Sequence, residues 1–307
     1  MAGWTEADMP SQVGRHAVVT GTGGLGYETA RALAGAGATV ILAGRNPAKG
    51  ADSLARILAL HPKAAISFEP LDLGSLASIA AFAARMTEAG RPLDLLVNNA
   101  GVMTPPERRA TTDGFELQFG TNYLGHFALT AHLAPLLRQG AAPRVVTVSS
   151  GAHHTGAIHF DDPQSTRRYR PWLAYSQSKL ANLMFALELQ RRVDAAGWNL
   201  ISNAAHPGYA RTDLIANGPG QDALMARIGK VIHPLMSQTP AQGALPQLFA
   251  ATSPDASPGG YYGPGNLFEM VGPPVRARIA RQARDTAAAA RLWALSEQLT
   301  SVAFSPA

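Results

Sequence analysis

The chain has 307 residues, of which 46% are hydrophobic, carries a net charge of +5 and contains no cysteine. This is enough for one large α/β core, so a single domain over 1–307 is the economical expectation. Lack of cysteine excludes disulfides and thiolate metal sites and fits the cytoplasm; with a polar start and no bilayer-length apolar run, neither signal peptide nor membrane anchor is expected.

In chain order, His16-Ala17-Val18-Val19-Thr20 reads as a buried strand, followed by Gly21-Thr22-Gly23-Gly24-Leu25-Gly26 and a helical run over 27–36. Glycines here let the backbone turn tightly and approach a pyrophosphate, which the helix N-terminus meets with unpaired N–H groups and the positive end of its dipole. Two spacings fit, Gly21 to Gly24 with two residues between, or Gly21-x-Gly23-x-x-Gly26, and phosphate binding follows from either.

A second strand over 39–44 ends without the acid that would bond both ribose hydroxyls of NAD and repel a 2′-phosphate. Arg45 comes next, then Lys49. As a solvated loop charge Arg45 would be silent; beside the missing acid, its guanidinium favours NADP(H) over NAD(H). Further apolar strands at 64–68, 93–97, 144–148 and 198–204 alternate with helical stretches. The pattern predicts an α/β fold, a single Rossmann-type doubly wound parallel sheet with helices on both faces and ligands at the carboxyl ends of its strands. Asn98, Ser150 and Pro207-Gly208 fall at such ends.

Tyr175 and Lys179 stand four residues apart and share one helix face, so phenol and ammonium reach one cleft. A nearby cation favours the phenolate and lowers tyrosine's usual pKa of about 10. With Ser149-Ser150 and Asn122 upstream, the pair points to hydride-transfer chemistry on a carbonyl or alcohol.

Several motifs agree in order and spacing: the glycine loop, Leu71-Asp72-Leu73, Asn98-Asn99-Ala100-Gly101, Asn122-Tyr123-Leu124-Gly125-His126-Phe127, Ser150, Tyr175 with Lys179, and Pro207-Gly208 with Thr212. On these the chain resembles the short-chain dehydrogenase/reductase family from about residue 14 to Gly260-Tyr261-Tyr262. The long separation of Ser150 from Tyr175, the Asn122–Phe127 motif and Ser178-Lys179-Leu180-Ala181-Asn182 are similar to its retinol-dehydrogenase-like branch. Membrane-anchored members exist there, but no counterpart of their anchor is expected here.

The resemblance implies Tyr175 as general acid for reduction and general base for oxidation. Ser150 would hold the substrate oxygen, with Ser149 the neighbouring candidate. Lys179 would lower the Tyr175 pKa and bond the nicotinamide ribose, and Asn122 would hold a water linking Lys179 to solvent. Cofactor contacts would come from Gly21, Thr22, Gly23, Gly24, Leu25, Gly26, Arg45, Asp72, Leu73, Asn99, Ala100, Gly101, Tyr175, Lys179, Pro207, Gly208 and Thr212, with Asn98 bracing the sheet. Residues 209–240 resemble a substrate lid whose Leu214, Ile215, Met225, Ile228 and Met236 suit a hydrophobic carbonyl or alcohol, although ordinary helix packing explains them equally. Helices over 113–139 and 175–197 correspond to those pairing relatives into homodimers or homotetramers, and 276–300 forms a C-terminal helical extension.

Two rival functions share these residues: reduction of a conjugated C=C bond, and a non-catalytic dinucleotide-sensing regulator. The intact Ser, Tyr, Lys and Asn set argues against the regulator, which needs no proton donor. Arginines at 167, 168, 170, 276, 278, 281 and 284 read as solvated faces without a nucleic-acid-reading module, so no nucleic-acid partner is expected. His153, His154 and His159 lie in a loop without a carboxylate at ligand spacing, and no metal is expected.

Overall fold

The computed structural model describes residues 3–210 and 237–304. Strands β1 (His16–Thr20), β2 (Thr39–Gly44), β3 (Ile66–Pro70), β4 (Leu95–Asn98), β5 (Arg144–Val148), β6 (Ile201–Ala205), β7 (Tyr261–Asn266) and β8 (Val271–Arg276) form one sheet. Their order is β3-β2-β1-β4-β5-β6-β7-β8, with β7 and β8 antiparallel and every other neighbouring pair parallel. Val19, Leu42, Leu96, Val97 and Val146 are wholly buried, as strands covered on both faces require. Successive strands are added to one side of β1 and then, from β4, to the other, and this reversal opens a crevice at their carboxyl ends.

The helices are α1 (Gly24–Gly35), α2 (Pro47–Leu60), α3 (Leu76–Glu88), α4 (Gly125–Leu137), α5 (Pro171–Ala195), α6 (Pro240–Thr252) and α7 (Thr286–Thr300). Local chemistry sets several boundaries. Asn46 accepts the Lys49 N–H at 3.1 Å ahead of Pro47 in the first turn of α2. Helix α5 begins at Pro171, four residues before the expected 175, and stops before Gly197, whose φ of +65° is the left-handed turn that ends a helix.

The structure departs from the sequence expectations at several points. The helix expected over 113–139 is a π-helical turn, Phe119–Leu124, running into α4. A Cβ on Gly125 would collide with the Leu73 carbonyl, so the backbone passes close to the loop after β3 at that junction. Strands β7 and β8 add to the six expected; the prolines of β8, Pro273 and Pro274, are tolerated because β8 is the sheet edge. Strands β3 and β6 begin at 66 and 201 rather than at 64 and 198.

Helix α7 packs on α4 and α5. Trp293 meets Phe127 edge-on at 5.1 Å and stacks on Phe185 at 5.7 Å, while the Tyr123 and Ser296 hydroxyls lie 2.6 Å apart. It therefore covers part of the α4–α5 face to which the resemblance assigned subunit pairing. No described helix is long and apolar enough to cross a membrane. Most of the expected lid, with Thr212, Leu214, Ile215, Met225, Ile228 and Met236, lies outside the described residues.

Candidate active site

Gly21 takes a φ of +96°, a region that favours glycine, and turns the chain out of β1. Gly26 is required for contact: a Cβ there would collide with the Gly21 carbonyl oxygen and the Asn99 amide. The loop thus behaves as Gly21-x-Gly23-x-x-Gly26, with the first glycine at the turn and the third at the close approach. Gly23 precedes α1, and no side chain caps its first turn, which leaves N–H groups facing a cavity of about 400 Å³ lined by Gly21 to Leu25, Lys49, Arg56 and Asn99 to Gly101. Asn99 anchors this floor, donating from Nδ2 to the Thr20 carbonyl at 2.8 Å. The cradle fits a dinucleotide pyrophosphate.

Beyond it, a second cavity of about 310 Å³ is lined by Thr22, Arg45, Lys49, Asp72, Leu73, Ala100 and Gly101, among others. Its one carboxylate, Asp72, accepts the Gly74 N–H at 2.9 Å. Arg45 is exposed at the end of β2, where Gly44 stands in place of an acid.

Ser149 and Ser150 both follow β5 but point differently. Ser149 is buried and donates from Oγ to the Lys179 carbonyl at 2.7 Å. Ser150 is half-buried, sits near enough to the Tyr175 phenol to favour its ionised form, accepts the Ala152 N–H at 3.2 Å and lines a cavity of about 660 Å³. Burial pushes Tyr175 up to about 12, against the lowering effect of Ser150. The lowering by Lys179 expected from the sequence does not appear, because Nζ sits 5.8 Å from the ring centre and donates instead to the Val148 carbonyl at 3.1 Å. Burial brings Lys179 itself down to about 8.

Asn122 stands in the π-helical turn, wholly buried. Its Oδ1 accepts the Val102 N–H at 2.7 Å, and Nδ2 donates to the Val102 carbonyl at 2.9 Å and to Ser178 Oγ at 3.0 Å. A Cβ on Gly101 would lie 3.0 Å from Asn122 Oδ1 and 3.6 Å from Lys179 Nζ, so the backbone there passes close to where these groups converge.

Sequence reasoning missed His126. Burial drives it down to about 4, so it is neutral near pH 7. The Asn122 carbonyl, 2.9 Å from Nδ1, can only accept, so Nδ1 carries the proton and Nε2 accepts from Thr20 Oγ1 at 2.9 Å; Thr20 Oγ1 in turn accepts the Asn99 and Ala100 N–H groups at 2.9 and 3.0 Å. One imidazole thereby connects the floor of the glycine-loop cavity to the Asn122 turn. Its place within Asn122-Tyr123-Leu124-Gly125-His126 was the available signal. Tyr261 and the His206–Glu269 pair were missed as well: the Tyr261 hydroxyl lies 3.4 Å from His153 Nδ1, and His206 Nε2 lies 3.2 Å from Glu269 Oε2.

Gly208 has a φ of +61° and lines the 660 Å³ cavity, and Pro207 holds the chain by accepting Gln238 Nε2 at 2.7 Å. Asn98 ties β4 to α4, donating to Thr130 Oγ1 at 3.0 Å. His153 is buried and accepts from the Ala280 N–H at 3.3 Å.

A glycine-turned phosphate cradle at the end of β1, with serine, tyrosine and lysine gathered beyond β5, defines a Rossmann-type dinucleotide-dependent oxidoreductase. The family model described as short chain dehydrogenase matches residues 15–221, and the chain belongs to that family. It is 40% identical over 297 residues to mouse polyprenol dehydrogenase, covering 95% of this chain and 85% of that one. To mouse retinol dehydrogenase 12 it is 38% identical over 299 residues, 97% of this chain and 89% of that one, in keeping with the retinol-dehydrogenase-like branch. A crystal structure of an uncharacterized protein from Mycobacterium paratuberculosis matches with a TM-score of 0.81 and 42% identity, covering 99% of this chain and 100% of that one. The chain is thus an oxidoreductase that transfers hydride between a nicotinamide dinucleotide and an alcohol or carbonyl group.

Proposed function

We propose that the protein uses NADP(H) to interconvert a hydrophobic aldehyde or ketone and its alcohol, with Tyr175 as proton donor and acceptor. The observation that carries the catalytic part is the approach of Ser150, which lines the 660 Å³ cavity, to the Tyr175 phenol, whose ionised form it favours, with Lys179 one helical turn on. The bound nicotinamide supplies or accepts the hydride. Ser150 can donate to a carbonyl oxygen or accept from an alcohol and so orients the reacting group.

Tyr175, raised to about 12, holds its proton near neutrality, the form needed to protonate the oxygen of a carbonyl undergoing reduction. Lys179, which converges with Asn122 on Gly101, would contact the nicotinamide ribose and return a proton to the phenol, with Asn122 linking it to solvent through a water. Gly21 to Gly26 and Asn99 to Gly101 would cradle the pyrophosphate, with Asp72 and Leu73 at the adenine end. Arg45 and Lys49, with no acid at the end of β2, favour a 2′-phosphate there. Gly208 would bound the nicotinamide end.

The test is NADPH consumption, followed by absorbance, against hydrophobic aldehydes, ketones and enones, with Tyr175→Phe in parallel. The native chain should turn over carbonyl compounds; the variant should bind NADPH nearly as well and lose turnover. Retained turnover would refute Tyr175 as the acid, consumption of enones alone would assign C=C reduction, and tight NADPH binding without any turnover would favour a regulator.

A further inference from the structure

The cavity beside Ser150 carries more charge than a purely hydrophobic substrate requires. Its wall holds one carboxylate, Glu269, and that group is already engaged. Oε2 lies 3.2 Å from His206 Nε2, and Oε1 accepts the Arg278 N–H at 2.9 Å. Although burial raises Glu269, these partners outweigh it and hold the carboxyl below its ordinary value.

Backbone geometry enforces this arrangement. Leu267, Phe268 and Glu269 lie at φ +47°, +56° and +65°, three successive non-glycine residues in a costly region, and the turn they make returns Glu269 to His206. Arg276 and Arg278, two residues apart where β8 leaves the sheet, line the same cavity. Among the described residues neither guanidinium has a hydrogen-bond or ion-pair partner, although a carboxylate stands in the same wall. Met270 and Val275 supply apolar wall, and His154 adds an imidazole.

We propose that Arg276 and Arg278 form an anion subsite, so that the substrate is an amphiphile whose carbonyl or alcohol meets Ser150 and whose carboxylate or phosphate meets the two guanidiniums. This rests on the assignment of Ser150 and Tyr175 as the reaction centre. The arginine fork pairs bidentately with either anion, and two forks converging on one ligand supply more than a single exposed pair. Because both side chains are exposed, the preference is sensitive to salt.

The experiment compares kcat/KM, with NADPH saturating, for an ω-oxo fatty acid, its methyl ester and the matching ω-oxoalkyl phosphate, using the native chain and Arg276→Gln/Arg278→Gln. The native chain should favour acid or phosphate over the ester by about tenfold at low salt. That ratio should fall toward one in the double variant and with added salt. Preference for the acid assigns a carboxylate head and preference for the phosphate a phosphoryl head, either supporting the subsite. Equal use of ester and anions by the native chain, or a ratio that survives in the double variant, overturns it while leaving carbonyl reduction intact. Turnover of none of the three, with simple hydrophobic aldehydes reduced, also overturns it; failure with every carbonyl compound removes the underlying assignment as well.

Discussion

Replacing Ser149 and Ser150 singly with alanine separates fold from chemistry. Ser149 Oγ donates to the Lys179 carbonyl at 2.7 Å between wholly buried residues, tying the end of β5 to α5. Removing a buried donor of this kind costs about 1–3 kcal/mol. Ser150 contributes a cap-like bond to the Ala152 N–H at 3.2 Å, worth about 0.5–1 kcal/mol, but its hydroxyl faces Tyr175 and the cavity. Loss of one donor to a developing oxyanion lowers kcat/KM by roughly a hundredfold to a thousandfold. Denaturant unfolding read beside kcat/KM should therefore cross over. Ser149→Ala should lose the larger share of stability and within about tenfold of activity, whereas Ser150→Ala should lose no more than about 1 kcal/mol of stability but most activity. Equal activity losses in two equally stable variants would show that both hydroxyls serve the substrate and refute the division of roles.

Arg45→Asp should raise the Michaelis constant for NADPH by about tenfold to a hundredfold, the value of a charge-assisted phosphate contact, and affect NADH far less; equal effects would remove Arg45 from the cofactor assignment. Acid should destabilise the fold through His126 and His153, each depressed to about 4 by burial. Unfolded histidine titrates near 6.5, so above that pH both states are neutral and this stability is fully present. As pH falls from about 6.5 toward 4 the unfolded state binds the extra protons, and on the order of 3 kcal/mol per histidine is lost. Melting temperature measured across that window should drop, and the drop should be shallower in His126→Asn; an unchanged slope would mean that the imidazole is not held neutral.

Much of the fold was legible because it is written in local periods. Apolar runs such as Val18-Val19 and Val145-Val146 can be satisfied only when covered on both faces, and their alternation with helices dictates a parallel sheet. Gly21 and Gly26 were legible for a related reason, since a turn at positive φ and a backbone contact each exclude a side chain whatever the neighbours are. The i,i+4 spacing placed Tyr175 and Lys179 on one face of α5 without reference to the rest of the chain.

Local patterns could not show where a polar atom finds its partner. Ser149 and Ser150 are equivalent in sequence until the pleat sends one hydroxyl to the backbone of α5 and the other to Tyr175. His126 reads as an ordinary helix residue until 106 positions of chain close to bring Thr20 against it, and only that enclosure lowers its pKa. Likewise the spacing of Lys179 from Tyr175 suggested a lowered phenol pKa, yet desolvation raises it, because burial depends on every element packed around α5. Period and turn chemistry act within a few residues and are carried by sequence; hydrogen-bond choice, burial and charge balance depend on groups brought together by the whole sheet, and only the tertiary structure decides them.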